Sequence, residues 1–224
     1  MKTEDWRAIE TAKALVIGHD PRLKNSDTIA QYALFAEYYF KEVPSNTSER
    51  RKYGLAKATF EHIKYLTNNK IKPDSIYITN LCNESLPHAP KDRMVYIPIE
   101  KAMEGLDNIN KILRENPFIE YVFPMSLQVN YWLQKLGFYK SNNDFLKLTE
   151  PHEKGLLNDP QYFKPKINRT FQLICGNIYS QEDGNLKILP ILHSIQFPLN
   201  SIVLPSYGPA YERIKDYFNV QTGL

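Results

Sequence analysis

The stretch ALVIGHDPR, residues 14–22, runs four apolar residues into Gly18 and then sets a basic ring, a carboxylate and a proline on consecutive positions. A short apolar run closed by glycine and proline reads as a buried strand delivered into a loop. Three more runs, read outward from it, end the same way: SIYIT at 75–79 runs into Asn80, IEYVF at 119–123 leads through Pro124 and Met125 to Ser126, and LKILPIL at 186–192 ends at His193. Between these runs the apolar period changes to that of helices.

A helix is expected over 26–40, capped by Ser26 or Asp27, with stripes at Ile29, Ala33, Ala36, Phe40 and at Tyr32, Phe35, Tyr39. A second starts near Ser48 and carries Leu55, Thr59, Ile63 and Leu66 on one face, with ERRK at 49–52 as its exposed start. A third is marked by Ile99, Met103, Leu106, Ile109 and Leu113, and a fourth runs from Ser126 to Gly137, a glycine suited to the residue just past a helix end. GPAYERIKDYFN at 208–219 places Tyr211, Ile214 and Phe218 at helical spacing as a closing surface helix. Residues 81–98, with Pro87, Pro90 and Pro98, read as a loop; 138–169 carries no clear element; SQEDGN at 180–185 reads as a turn. Strands alternating with helices predict an α/β protein, a three-layer α/β/α arrangement around a central, mainly parallel four-stranded sheet, with residues 1–224 forming a single domain.

Composition narrows the class. At 42% hydrophobic and 24% charged residues, the chain is an ordinary globular one. Its net charge of +3 permits a nucleic-acid partner without demanding one. No apolar leader opens the sequence and no run of about 18 apolar residues occurs, so a cytoplasmic protein with no membrane partner is expected. Cys82 and Cys175 stand too far apart in sequence for a redox pair and too few for a metal cluster, and read as buried thiols. HEKGL at 152–156 lacks the second histidine of a zinc helix, and no glycine-rich phosphate cradle is present. Neither a metal nor any other cofactor is expected.

In open α/β sheets the loops at the carboxyl ends of the strands share one crevice, which is where ligands bind. Here those ends carry Asp20, Asn80, Ser126 and His193. A carboxylate that orients water, an imidazole that stabilises a developing anion and an amide that reads a planar hydrogen-bonding edge suit hydrolysis of a bond to a heterocycle. Each also has a structural explanation: Asp20-Pro21 is a common turn pair, Asn80 can cap its strand, and His193 can be a partly buried histidine with satisfied nitrogens.

VIGHDPR, residues 16–22, resembles the GQDPY motif of uracil-DNA glycosylases, and ILHSIQFPL, residues 191–199, resembles a lengthened form of their HPSPL motif. SIYITN is similar to the superfamily's middle strand, which ends in an asparagine, and VFPMSLQVNYWLQKLG to its strand-helix unit before the histidine motif. The resemblance covers roughly residues 14–200 and rests on short motifs in the family's order. It implies a uracil-DNA glycosylase-like fold, removal of uracil or another deaminated base from DNA, and DNA as the partner. It implies too that Asp20 activates water, that Asn80 binds the base edge with Gly18 and His19 beside it, and that His193 donates to the base oxygen. His19 replaces the family's glutamine and Arg22 the tyrosine that excludes thymine, so the base excised is open. The residue that wedges into the duplex would be Phe197 or Leu199, with Ser126 also near the DNA; packing of both apolar residues against the sheet is the alternative. Tyr32 or Phe35 could stack on the base or pack in the core. YFKPKINR, residues 162–169, interleaves basic and aromatic residues and could grip a phosphate backbone or be a solvated loop. A nucleic-acid-binding relative without catalysis and a small-molecule hydrolase using the same crevice remain as alternative functions.

Overall fold

The computed structural model describes residues 2–19, 30–86, 94–141, 145–146, 162–163, 171–181, 186–193 and 204–220. Its centre is a five-stranded sheet. Strand β1 (Ala14–Gly18) lies in the middle, with β2 (Ile76–Asn80) parallel on one side and β4 (Tyr121–Pro124) parallel on the other. Beyond β4 come β7 (Lys187–Ile188), again parallel, and β6 (Tyr179–Ser180), antiparallel at the edge. The order is therefore β2-β1-β4-β7-β6. Every residue of β1 and β2 is buried, as strands covered on both faces must be, and that is why they read as unbroken apolar runs.

The four strands expected from the sequence form the parallel part of the sheet, and the fifth, β6, corrects the expected number. Two residues long and carrying no apolar run, it gives no periodic signal. Strand β7 extends past its two regular residues, because Lys187, Leu189 and Ile191 donate in alternation to the carbonyls of Glu120, Val122 and Pro124. Pro190 falls between these donors, where its missing N–H removes no bond to β4. A separate two-stranded ribbon pairs β3 (Met94–Val95) with β5 (Tyr162–Phe163). This ribbon places a strand inside the expected 81–98 loop and at the start of the basic-aromatic stretch, whose residues 164–169 lie outside the described residues.

Helix α1 (Thr47–Leu66) begins at Asn46, whose side chain accepts the Glu49 N–H at 2.8 Å and donates back to the Glu49 carboxylate. It buries Ala56, Thr59, Phe60, His62, Ile63 and Leu66. Helix α2 (Ile99–Glu115) buries Ala102, Gly105, Ile109 and Ile112, whereas Ile99 and Met103 are 43% and 52% exposed. The expected stripe was thus rotated, and Gly105 is the reason. A Cβ there would fall on the Leu81 carbonyl oxygen, so the helix docks through its glycine and turns Met103 outward. Helix α3 (Leu127–Lys135) ends where expected: Gly137, at φ 81°, donates to Gln134 and Phe138 donates to Leu133, the paired bonds of a Schellman closure. Helix α4 (Leu204–Val220) starts earlier than the sequence suggests, and Tyr211, Ile214 and Phe218 are core residues at 0–1% exposure, so only its outer face is surface.

The helix expected over 26–40 is not formed in its described part. Ala33–Tyr38 is a 3-10 turn, interrupted by Leu34 and Phe35 at φ 53° and 56°. A right-handed helix cannot propagate through left-handed residues. Its donors and acceptors go elsewhere: Glu4 N–H to the Gln31 carbonyl and Ala33 N–H to the Glu4 carbonyl, both from the N-terminal segment. That segment also pairs Trp6 with Ile78 on the outer side of β2, closing the sheet edge. Trp6 stacks on Phe40, Phe40 meets Tyr39 edge-on and Tyr39 packs tilted on Phe60, which locks the turn to α1.

Side chains alternate across β2 and reveal the layers. Thr79 faces α2, where Asn108 reaches it, while Asn80 faces Leu34 of the 3-10 turn, the layer that also holds α1. Helices therefore cover both faces. Among the described residues no helix is long and apolar enough to cross a membrane.

Candidate functional site at the strand ends

The carboxyl ends of four strands meet on one edge, and backbone bonds fix them there. Leu81 and Cys82 donate to the carbonyls of Gly18 and His19, Met125 donates to Ile17, and Ser126 donates to Ile191. Asn80, Gly18 with His19, Ser126 and His193 thus come from four adjacent strands. Asp20, Arg22, Phe197 and Leu199 lie outside the described residues.

Gly18 and Asn80 are register partners, so they share a face. A Cβ on Gly18 would fall on Asn80 Oδ1 and press on Leu34 at 3.1 Å. The absent side chain of Gly18 is therefore the space into which the Asn80 amide folds. Asn80 is fully buried, and neither Nδ2 nor Oδ1 has a hydrogen-bond partner among the described residues. Such an amide ordinarily costs about 1–3 kcal/mol and is rare in folded proteins. Ser126 shows the same feature with added strain. It precedes α3 at φ 78°, ψ 161°, a region in which side chains clash, and its hydroxyl, though at the N-cap position, makes no capping bond and is buried without a partner among the described residues. Of the five described non-glycine residues at positive φ, Asn68 and Asn69 simply close α1, Leu34 and Ser126 border this edge, and Phe35 follows Leu34 in the 3-10 turn.

His19 and His193 are half-buried. His193 lies within electrostatic reach of His62, a fully buried histidine on α1 whose ring is pushed down to about 3 by burial first and by His193 second. His62 was not singled out in the sequence; its signal was a histidine on the apolar face of a helix, between Thr59 and Ile63. Helix α1, which carries His62, lies in the layer that Asn80 faces. Tyr32 stands edge-on to Trp6 at 5.5 Å and Phe35, 2% exposed, edge-on to Tyr38, so both rings are packed.

A cavity of about 570 Å³ lies elsewhere. It lies on the Thr79 side of β2, lined by the N-terminal segment, the residues after β2 and Lys101, Glu104 and Asn108 of α2. Asp5 in its lining is already occupied, accepting from Thr79, Asn83 and Asn108 at 2.6–3.2 Å. A wall whose polar groups bond one another makes weaker demands on a ligand than the orphaned amide of Asn80. Both cysteines are buried thiols, Cys175 pushed up to about 12 by burial, which suits neither a nucleophile nor a metal ligand. No family model matches the chain, and no curated protein matches it.

Proposed function

We propose that the chain is a DNA glycosylase with a uracil-DNA glycosylase-like fold, hydrolysing the bond between deoxyribose and uracil or another deaminated base. The observation that carries this reading is the Asn80 amide, fully buried at the strand ends with a donor and an acceptor side by side that meet no partner among the described residues. Deamination turns the hydrogen-bonding edge of a base into adjacent C=O and N–H groups, which Nδ2 and Oδ1 of one amide match. The resemblance of VIGHDPR and ILHSIQFPL to the glycosylase motifs supports the same assignment.

The base must leave the duplex stack to reach a site at the strand ends. Phe197 or Leu199 would fill the gap, and Ser126 would face the DNA near the edge. Bond cleavage sends the electron pair to the base and leaves positive charge on the sugar. His193 donates to the base oxygen that gains negative charge, Asp20 orients the water that adds to the sugar, and Gly18 and His19 line the base with Arg22 beside them.

End-labelled oligonucleotides carrying uracil or hypoxanthine, in single and double strands, are incubated with the protein and treated with alkali to cut abasic sites. Strand cleavage is expected, with His193→Ala slower by about 10²–10³-fold, the usual loss for an oxyanion donor. No cleavage across the panel overturns the reading. Salt-sensitive retention of DNA without base release assigns a binding relative instead.

A further inference from the structure

The amide after the last ladder bond of β7 is held in an unusual way. Ile191 still donates to β4, but Leu192 points its N–H away from β4, where short β6 no longer reaches. The Tyr211 hydroxyl of α4 supplies the partner, accepting the Leu192 N–H at 3.1 Å. The same hydroxyl lies 2.7 Å from His62 Nε2 on α1. Both side chains are fully buried. A phenol has one proton. Leu192 fills one lone pair of the oxygen and leaves the phenolic proton free to go to Nε2, in which case His62 carries its own proton on Nδ1. One chain of hydrogen bonds thus joins α1, α4 and the residue immediately before His193.

We propose that Tyr211 and His62 are positioning residues for His193, setting the place of its ring at the strand ends. The inference rests on the glycosylase reading for the role of His193. In accepting from Leu192 the hydroxyl still has its own proton to place inside the core, and His62 Nε2 is the partner at hand. The histidine gives the phenolic proton a fixed direction, and burial keeps it uncharged, so that it holds the loop without placing a cation next to His193. The other groups facing the hydroxyl are Cys175 and Tyr207, both pushed up to about 12 by burial, and Tyr65, which donates to Glu212 at 3.4 Å.

The test compares Tyr211→Phe, His62→Leu and His62→Gln in the full chain. Single-turnover base release, DNA affinity and the titration of the His193 ring by nitrogen-15 NMR are measured, with circular dichroism to confirm folding. Tyr211→Phe and His62→Leu are expected to slow release at least about 10-fold, within the range a misplaced group costs, with DNA affinity unchanged and the His193 titration displaced. His62→Gln, whose side-chain oxygen accepts the same phenolic proton, should stay within about threefold of wild type. Equal losses in Gln and Leu, rates equal to wild type in all three, or release falling only as affinity falls would overturn the proposal. If wild type itself releases no base, the glycosylase reading fails. The NMR arm then decides positioning alone, and a His193 titration unmoved in Tyr211→Phe overturns it.

Discussion

At the residue scale, the site is a set of local rules broken together. Asn80 buries an amide that has no partner among the described residues, and Ser126 holds a side chain at φ 78°. Each works against stability, so each variant has a definite sign. Asn80→Leu keeps the approximate shape and removes two polar atoms that lack partners among the described residues, and is expected to leave the urea midpoint unchanged or to raise stability by about 1 kcal/mol while abolishing the base release proposed above. A loss of more than about 2 kcal/mol would show that the amide is instead satisfied in the folded protein. Ser126→Gly relieves the backbone and should stabilise by about 1 kcal/mol in the same measurement. Gly18 and Asn80 were legible as strand-end residues because apolar runs point at them. The strain at Ser126 was not, because serine before a helix is what an ordinary N-cap looks like, and only the backbone shows that its hydroxyl caps nothing.

At the element scale, α1 and α4 hold each other through polar ties at both ends of their contact. Asn68 donates to the Lys215 carbonyl and Asn219 at the end of α1, and His62 meets Tyr211 further back. The His62 pair carries a pH dependence. In the unfolded chain the ring protonates below about 6.5, whereas in the folded chain it stays neutral down to about 3. The unfolded state therefore binds the extra proton over that window, and the contribution is fully present above 6.5 and lost as pH falls, at about 1.4 kcal/mol per unit. Glu37, raised by burial, acts with the opposite sign just above 4.5, so the clean quantity is the difference from His62→Gln, in which it cancels. Between pH 7 and pH 5 wild type should lose about 2 kcal/mol more than His62→Gln in urea unfolding. Equal losses would mean that His62 is protonated when folded. The helices themselves were readable where one period governs a face. The sequence failed at 33–38 because Ala33, Ala36 and Phe40 carry a true helical stripe whose backbone partners were taken by Glu4, more than 25 residues away. It failed at α2 because the docking residue is Gly105, which no hydrophobic pattern counts.

At the scale of the molecule, the sheet is closed at β2 by the N-terminal segment and thinned out at β6. Asp5 fastens that segment, binding Thr79 of β2, Asn83 beyond it and Asn108 of α2. Asp5→Ala should cost about 2 kcal/mol in urea unfolding, because three donors lose their shared acceptor. The base release proposed above should be unchanged where both proteins are folded, since Thr79 and Asn80 face opposite layers. A slowed reaction in fully folded Asp5→Ala would mean that the two layers are coupled through β2. The parallel core of the sheet was legible because fully buried strands announce themselves as apolar runs. The edges were not, because Trp6 and Tyr179 pair as single residues or pairs without any period.

The central place of β1 has a consequence for how the protein is made. β1 leaves the ribosome before either neighbour, and its two partners follow separately, β2 beyond α1 and β4 beyond α2. The N-terminal segment, β1, α1 and β2 are all available once residue 80 has emerged, whereas the second side of β1 stays uncovered until Pro124. At ordinary synthesis rates that interval lasts about 2–9 s. Over that time the nascent chain carries a strand of five buried-type residues with one open edge, which makes this stretch of translation the point at which a holding chaperone has most to grip.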